Sequence, residues 1–175
     1  MSTTHIFQTH LVLGYAAWLL CFGAYILPRL KSIDRVAAHR AIATLHSFRF
    51  FGLSFIVPGV VGGGLPAHFA IPAAYGDLAT GLLAISALAT IRIRPVFWLL
   101  VVAFNLVGLV DLLLAYGHAI QADLPAHAEE LGAAYVIPIL YVPLLMITHV
   151  AAFYLLARSR PGAASSSSME LHPLR

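Results

Sequence analysis

The chain has 175 residues, of which 61% are hydrophobic and 10% are charged, with a mean hydropathy of +0.90 and a formal net charge of +3. A soluble domain would carry about 25% charged and roughly 45–50% apolar residues, so the composition excludes a soluble globular enzyme. Five apolar helices of about 20 residues would use roughly 100 residues and leave no room for a second folded domain. The single cysteine, Cys21, excludes an intrachain disulfide and a CxxC redox motif.

Five apolar segments are long enough to cross a membrane as helices. The second is the least apolar, because His46 and Arg49 lie near its start. The sequence therefore predicts an all-α, polytopic membrane protein with one five-helix domain over residues 1–160. The serine-rich composition of the tail, 161–175, predicts disorder. The predicted spans cover about residues 6–27, 42–62, 73–91, 96–116 and 131–156.

The positively charged residues all fall on one side of this five-span arrangement. Because loops rich in Lys and Arg stay in the cytoplasm, the N-terminus and the connections 62–73 and 117–130 are predicted outside, and the C-terminus inside. The first apolar run follows no basic region and precedes no obvious cleavage site, so it is interpreted as a retained span of a plasma (inner) membrane protein. The positive residues are Arg29, Lys31, Arg35, Arg40, Arg49, Arg92, Arg94, Arg158, Arg160 and Arg175.

Polar side chains within the spans are the best indications of function, since a charge in hydrocarbon costs roughly 2.5–3.5 kcal/mol on insertion scales. Arg49 is predicted to snorkel to the interface. Asp77 and Asp111 have no basic residue on the outer side, so each is predicted to be protonated, paired with a histidine or hydrated by a cavity. The alternative is that each polar residue only hydrogen-bonds a neighbouring helix. The candidates form an inner group, His46, Arg49 and His149, and an outer group, Asp77 and Asp111 with Tyr135 or Tyr141, while Asn105 lies near mid-membrane.

A metal site is a further hypothesis for the outer surface, where histidines and carboxylates are frequent. The candidate ligands are His118, Asp123 and His127. Asp123 would be the N-cap of a helix that starts near Leu124. No pair of these residues has a diagnostic metal-ligand spacing.

Residues 48–84 contain the pattern FR-x-x-G, followed by LP-x-x-FA-x-PA-x-x-GD-x-x-x-G-x-x-A. This pattern resembles that of small multi-pass bacterial membrane proteins of uncharacterised function and covers about a fifth of the chain. The resemblance implies that the second and third spans and their connection form one unit. Pro66 and Pro72 around Phe69 predict a rigid, partly embedded outer loop. The matching positions are Phe48, Arg49, Gly52, Leu65, Pro66, Phe69, Ala70, Pro72, Ala73, Gly76, Asp77, Gly81 and Ala84.

The sequence favours a small-molecule binding or transport protein with an outward-facing polar cavity built around Asp77, Asn105 and Asp111. The fifth span would line it, because Pro138 and Pro143 free backbone carbonyls there. The ligand would be small and apolar or amphipathic.

Three other functions are considered. One is a redox subunit that holds b-type haem between His46 and His149, or between His10 and His118. Another is an accessory subunit or oligomer within a larger membrane complex. An enzyme acting on lipid or quinone is disfavoured because the sequence contains no nucleophile–base or metal motif. Nucleic acid is disfavoured as a partner, because anionic lipid at the cytoplasmic surface explains the basic residues.

The orientation can be tested with reporter fusions after residues 35, 68, 93, 123 and 165. We expect them to report inside, outside, inside, outside and inside, because the arginines hold their loops in the cytoplasm. A cytoplasmic signal at residue 68 would contradict both the second span and the orientation.

Overall fold

A computed structural model describes residues 2–158, which leaves the predicted disordered tail, 161–175, outside the described residues. Between residues 2 and 158 the chain is helical and contains no β-strand. Short π-helices, Phe22–Ile26 and Ile137–Tyr141, and 3₁₀-helices, Phe48–Ile56 and Ala128–Tyr135, adjoin or separate the α-helices. The α-helices are α1 (Thr3–Cys21), α2 (Leu27–Ser32), α3 (Arg35–Ser47), α4 (Ala67–Ala89), α5 (Arg94–Gln121) and α6 (Val142–Ala157).

Four helical segments are long and apolar enough to cross a membrane, and they correspond to the first, third, fourth and fifth predicted spans. The structure extends the first and fourth at both ends. Pro28 lies within the first helical segment and does not end it, and Pro95 lies in the first turn of the fourth. The four segments are Thr3–Ser32, Ala67–Ala89, Arg94–Gln121 and Ile137–Ala157.

The second predicted span, 42–62, differs most from its predicted bounds. Helix begins earlier, at Arg35 behind the N-cap Asp34, and changes from α to 3₁₀ geometry at Phe48 before it ends at Ile56. In a 3₁₀-helix, side chains three residues apart lie on one face. Arg49, Gly52 and Phe55 follow this spacing and are the buried residues of the 3₁₀-helix. The α/3₁₀ change therefore directs the arginine into the bundle.

This helical segment runs from one end of the bundle to the other. At its start, the Arg35 guanidinium donates to the Leu156 carbonyl over 2.9 Å, at the end of α6. Arg35 also shares a surface cleft with Arg94, so the basic residues of separate loops gather at this end. Near its finish, the Phe55 ring packs edge-on against Phe69, at the start of α4.

The predicted outer loop, 62–73, is shorter than expected because α4 already begins at Ala67. Phe69 and Pro72 therefore belong to the helix, and the prediction that they form an embedded loop is wrong. The connection before α4 is held by Glu130. Its backbone carbonyl accepts from the Gly62 N–H over 2.7 Å, and its carboxylate accepts from the Gly64 N–H over 2.9 Å.

The last span departs from regular α-helical geometry around its two prolines. The backbone forms a π-helix at Ile137–Tyr141 before α6 continues with Pro143 in its first turn. The Trp18 indole of α1 donates to the Leu140 carbonyl within this π-helix over 2.9 Å, so α1 contacts the last span through its backbone. Gly14 of α1 makes room for the Ile139 carbonyl, which a β-carbon there would meet.

The bundle contains two apolar clusters, one near each end. The first is built around Phe7, Phe55, Phe69 and Leu131. The second is built around Phe22, Phe97, Phe104 and Leu155, near the basic residues. On α4, Ala73 and Ala74 belong to the first cluster and Ala84 to the second. Asp77 lies on α4 between Ala74 and Ala84, so polar side chains occupy the interval between the two apolar clusters.

Candidate functional site

Arg49 occupies the centre of this polar interval and is fully buried. Its Nε donates to Oδ1 of Asp77 on α4 over 2.6 Å, and its Nη2 donates to Oδ2 of Asp111 on α5 over 2.5 Å. Its Nη1 donates to the backbone carbonyl of Gly108 over 3.2 Å. One guanidinium therefore links three helical segments, which its planar fork of five N–H donors permits.

The fourth segment joins through His149 on α6. Arg49 Nη1 lies 3.3 Å from His149 Nε2, and a guanidinium has no acceptor, so this histidine nitrogen accepts. His149 Nδ1 then carries the proton and donates to Oδ1 of Asn105 over 2.9 Å. The Asn105 amide in turn donates to the Val101 carbonyl over 2.8 Å. These directions define His149 as a neutral imidazole with its proton on Nδ1.

His46 lies beside this chain of hydrogen bonds without joining it. Its Nε2 is 3.0 Å from Oγ1 of Thr148, and the Thr148 hydroxyl donates to the backbone carbonyls of its own helix. The threonine oxygen must therefore accept, which places the His46 proton on Nε2 and leaves Nδ1 as a buried nitrogen without a hydrogen-bond partner. His46 is thus also a neutral imidazole.

Three glycines provide the space that the charged groups occupy. A β-carbon at Gly52 would collide with the Asp77 carboxylate, and one at Gly76 would collide with the Asp111 carboxylate. A β-carbon at Gly108 would meet the Arg49 guanidinium and the His149 ring. We refer to Arg49, Asp77, Asp111, His149 and Asn105 as the arginine network.

The arginine network corrects two predictions. Arg49 does not snorkel to an interface, because its whole side chain is inaccessible and its charge is neutralised inside the bundle. The inner and outer polar groups are also not separate, since Arg49 reaches across the interval to both aspartates. Tyr135, a possible member of the outer group, instead hydrogen-bonds His10 over 2.9 Å.

A cavity of about 280 Å³ lies against the arginine network, on the side away from the basic residues. Asp77 and Asp111 form its floor, and their side chains are 9% and 13% exposed. Its walls are mostly apolar, which differs from the predicted polar cavity. They include Phe7, Leu11, Phe55, Phe69, Ala73, Leu112, Ala115, Ala119, Ile120, Leu124, Pro138 and Val142.

Only two of the seven predicted ligand-binding residues line this cavity. These are Asp77 and Asp111, whereas Asn105, His46, His149 and Arg49 are packed behind them. Tyr141 points elsewhere, and its hydroxyl donates to the Leu45 carbonyl over 3.1 Å. Reasoning from sequence did not identify the apolar wall residues, because alanines and leucines in a membrane helix carry no chemical signal.

The predicted metal ligands are not brought together. Within residues 2–158, no group of three His, Cys, Asp or Glu side chains is arranged to hold a metal ion. The His127 ring hydrogen-bonds the backbone carbonyl of Asp123 over 3.2 Å, not the Asp123 carboxylate. Asp123 has a positive φ of 45° in a turn, and the next helix begins at Ala128, so the predicted N-cap at Asp123 is wrong.

The pair His46 and His149 does not fit a haem. Two imidazoles that ligate one haem iron must lie on opposite faces of the porphyrin. The centres of these two rings are 4.1 Å apart, so the rings touch and leave no space for a macrocycle. In addition, both nitrogens of His149 are engaged by the arginine network.

The fold and the site define an all-helical protein with several apolar helices and a charged network between its two apolar clusters. Residues 6–157 match a family described as a domain of unknown function, DUF8737, and the chain belongs to that family. No curated protein and no solved structure matches the chain.

The glycines of the network give a stability test with an internal control. Gly76→Ala and Gly108→Ala should each lower the free energy of unfolding by about 1–3 kcal/mol, because the new methyl group displaces a charged side chain. Gly117→Ala, also on α5, meets open space and should be neutral or stabilising by up to about 1 kcal/mol. Unfolding in detergent measures all three, and equal effects at Gly76 and Gly117 would contradict the packing described here.

Replacement of Arg49 tests the pairing itself. Arg49→Met should lower the free energy of unfolding by about 3–5 kcal/mol, because it leaves one buried and one partly buried carboxylate without a partner. Arg49→Lys should recover only part of this loss, since one ammonium cannot reproduce the fork that meets both carboxylates. Adding Asp77→Asn and Asp111→Asn to Arg49→Met should restore stability. The pairing would be refuted if the aspartate changes lowered the stability of Arg49→Met further.

Proposed function

We propose that the chain is a five-span plasma-membrane protein that binds a small apolar or amphipathic molecule in the cavity above the arginine network, as a binding or transport protein. The single observation that carries this proposal is the cavity itself. Its walls are apolar, and its floor carries two carboxylates of the arginine network. Ligand sites in proteins commonly combine predominantly apolar walls with a few placed polar groups.

The volume of the cavity limits the size of the ligand. An engineered apolar cavity of about 150 Å³ takes up benzene. The cavity of about 280 Å³ has room for a larger molecule, with a ring or short chain and a polar head. The apolar walls favour a body without polar groups, because a buried polar group without a partner is costly.

The fifth span in this proposal is the helical segment 35–56. Its 13 α-helical and 9 3₁₀-helical residues would extend about 37 Å, at rises of 1.5 and 2.0 Å per residue. A hydrocarbon core is about 30 Å thick, so this length is sufficient although the α-helical part alone is short. The contacts of Arg35 with one end of the bundle and of Phe55 with the other support a complete crossing.

The orientation in this proposal follows from charge. Arg35, Arg40, Arg92 and Arg94 line neighbouring clefts at one end of the bundle, which the positive-inside rule assigns to the cytoplasm. The cavity lies toward the opposite end and would face outward. A charged network between the cavity and the cytoplasmic half is an arrangement that suits transport, since intramembrane charges commonly lie along substrate or proton pathways.

Cavity filling tests the proposed function. Ala115 lines the cavity, so Ala115→Phe should weaken the binding of hexan-1-ol at least tenfold by occupying its space. Leu113 is 57% exposed on the outer face of the same helix, so Leu113→Phe should bind like the native protein. Calorimetry on the protein in lipid nanodiscs, with empty nanodiscs subtracted, measures the affinity.

A second filling variant, Ala119→Phe, tests the same cavity if Ala115→Phe does not fold. Each variant should unfold cooperatively before its binding is compared. Undiminished hexan-1-ol binding in both folded filling variants would show that the cavity is not the binding site.

A further inference from the structure

The arginine network has one more acidic group than basic groups. Arg49 contributes one positive charge, and Asp77 and Asp111 contribute two negative charges when ionised. His149 and His46 are neutral by the directions of their hydrogen bonds. The fully ionised network therefore carries a net charge of −1, which an apolar interior opposes strongly.

The excess charge lies on the floor of the cavity. Arg49 engages Oδ1 of Asp77 and Oδ2 of Asp111. Among residues 2–158, no hydrogen bond uses the second oxygen of either carboxylate. Both residues line the cavity, so a proton or a positively charged group that enters it would complete the charge balance.

A second approach to the same carboxylate comes from the outer face of the bundle. A groove between α4 and α5 is lined by apolar residues such as Leu106 and Val110, and it also reaches Asp111. The cavity and the groove share Ala73, Asp111 and Ala115. Leu106 and Val110 are about half exposed and would face lipid, so a molecule dissolved in the bilayer would meet this groove.

We propose that the ligand is an amphipathic organic cation, an alkylammonium type of molecule, whose positive head exchanges with a proton at the Asp77–Asp111 pair. This inference rests on the proposed function and specifies its ligand class. The apolar body of the cation occupies the cavity, and its N–H groups donate to the carboxylate oxygens that Arg49 does not engage.

The exchange is balanced in charge and atoms. Without ligand, the pair holds one proton, and the network is neutral. When the ammonium binds, that proton leaves to solvent and the cation takes its place, so the network stays neutral and no covalent bond changes. A neutral ligand displaces no proton, and an anionic ligand would give the neutral network a net charge of −1.

Three probes of equal chain length test the proposal: hexylamine, hexan-1-ol and hexanoate. Each is titrated at pH 7 into the full-length protein in nanodiscs, with empty nanodiscs subtracted. We expect hexylamine to bind at least tenfold more tightly than hexan-1-ol and hexanoate to bind most weakly. Titrations in phosphate and in Tris, which differ in heat of ionisation, should report close to one proton released per hexylamine and none per hexan-1-ol.

Asp111→Asn gives the decisive variant. It removes the excess charge, while its side-chain oxygen still accepts from Arg49. We expect hexylamine binding to fall at least tenfold with no proton released, and hexan-1-ol binding to remain. Asp34→Asn is the matched control, since it makes the same change of charge at an exposed helix N-cap far from the cavity. It should bind all three probes like the native protein.

Each result decides between the two proposals. Equal affinity for hexylamine and hexan-1-ol, or binding of hexylamine without release of a proton, would overturn the cation proposal and leave the cavity as a binding site. Proton release that persists in Asp111→Asn would also overturn it. If none of the three probes binds to the native protein, both the cation proposal and the proposed function fail.

Discussion

The burial of one arginine is the constraint on which the rest of the structure depends. Removing a guanidinium from water costs several kcal/mol, and good geometry with opposite charges must offset that cost. Arg49 meets this condition only because α4, α5 and α6 each bring a partner to it: Asp77, Asp111 and His149. Within residues 2–158, both ion pairs between helices involve Arg49, so its charge links α4 and α5 to the 3₁₀-helix that carries it.

The backbone around the network is shaped to make this burial possible. The 3₁₀ geometry of Phe48–Ile56 aligns Arg49 with Gly52 and Phe55 on one inward face. Glycines at 52, 76 and 108 then leave the volume that two carboxylates, a guanidinium and an imidazole require. The cost of glycine in a helix, about 1 kcal/mol each relative to alanine, is offset by ionic contacts that a methyl group would prevent. Local geometry and long-range electrostatics thus favour the same arrangement.

Much of the fold can be predicted from the apolar runs and the positions of the prolines, whereas the site could be identified only from contacts between helices. The apolar runs predict the four long helices, and Pro138 and Pro143 predict a departure from regular α-helix, which occurs as the π-helix before α6. The pairing of Arg49 with Asp77 and Asp111 differs from the sequence prediction because the sequence predicts Arg49 at the membrane interface, whereas the 3₁₀ geometry directs its side chain into the bundle. The spacing of three between Arg49, Gly52 and Phe55 is the signal that was present in the sequence. The apolar cavity walls had no comparable signal, since lipid-facing and cavity-facing side chains have the same chemistry.

The site divides into a closely packed, charged floor and apolar walls. The floor is packed so closely that a single methyl group at Gly76 or Gly108 collides with a charged side chain. The walls include Ala73, Ala115 and Ala119, whose uncharged side chains limit the volume of the cavity. The walls would therefore determine the size and shape of a ligand, while the arginine network determines the charge that the cavity can accept.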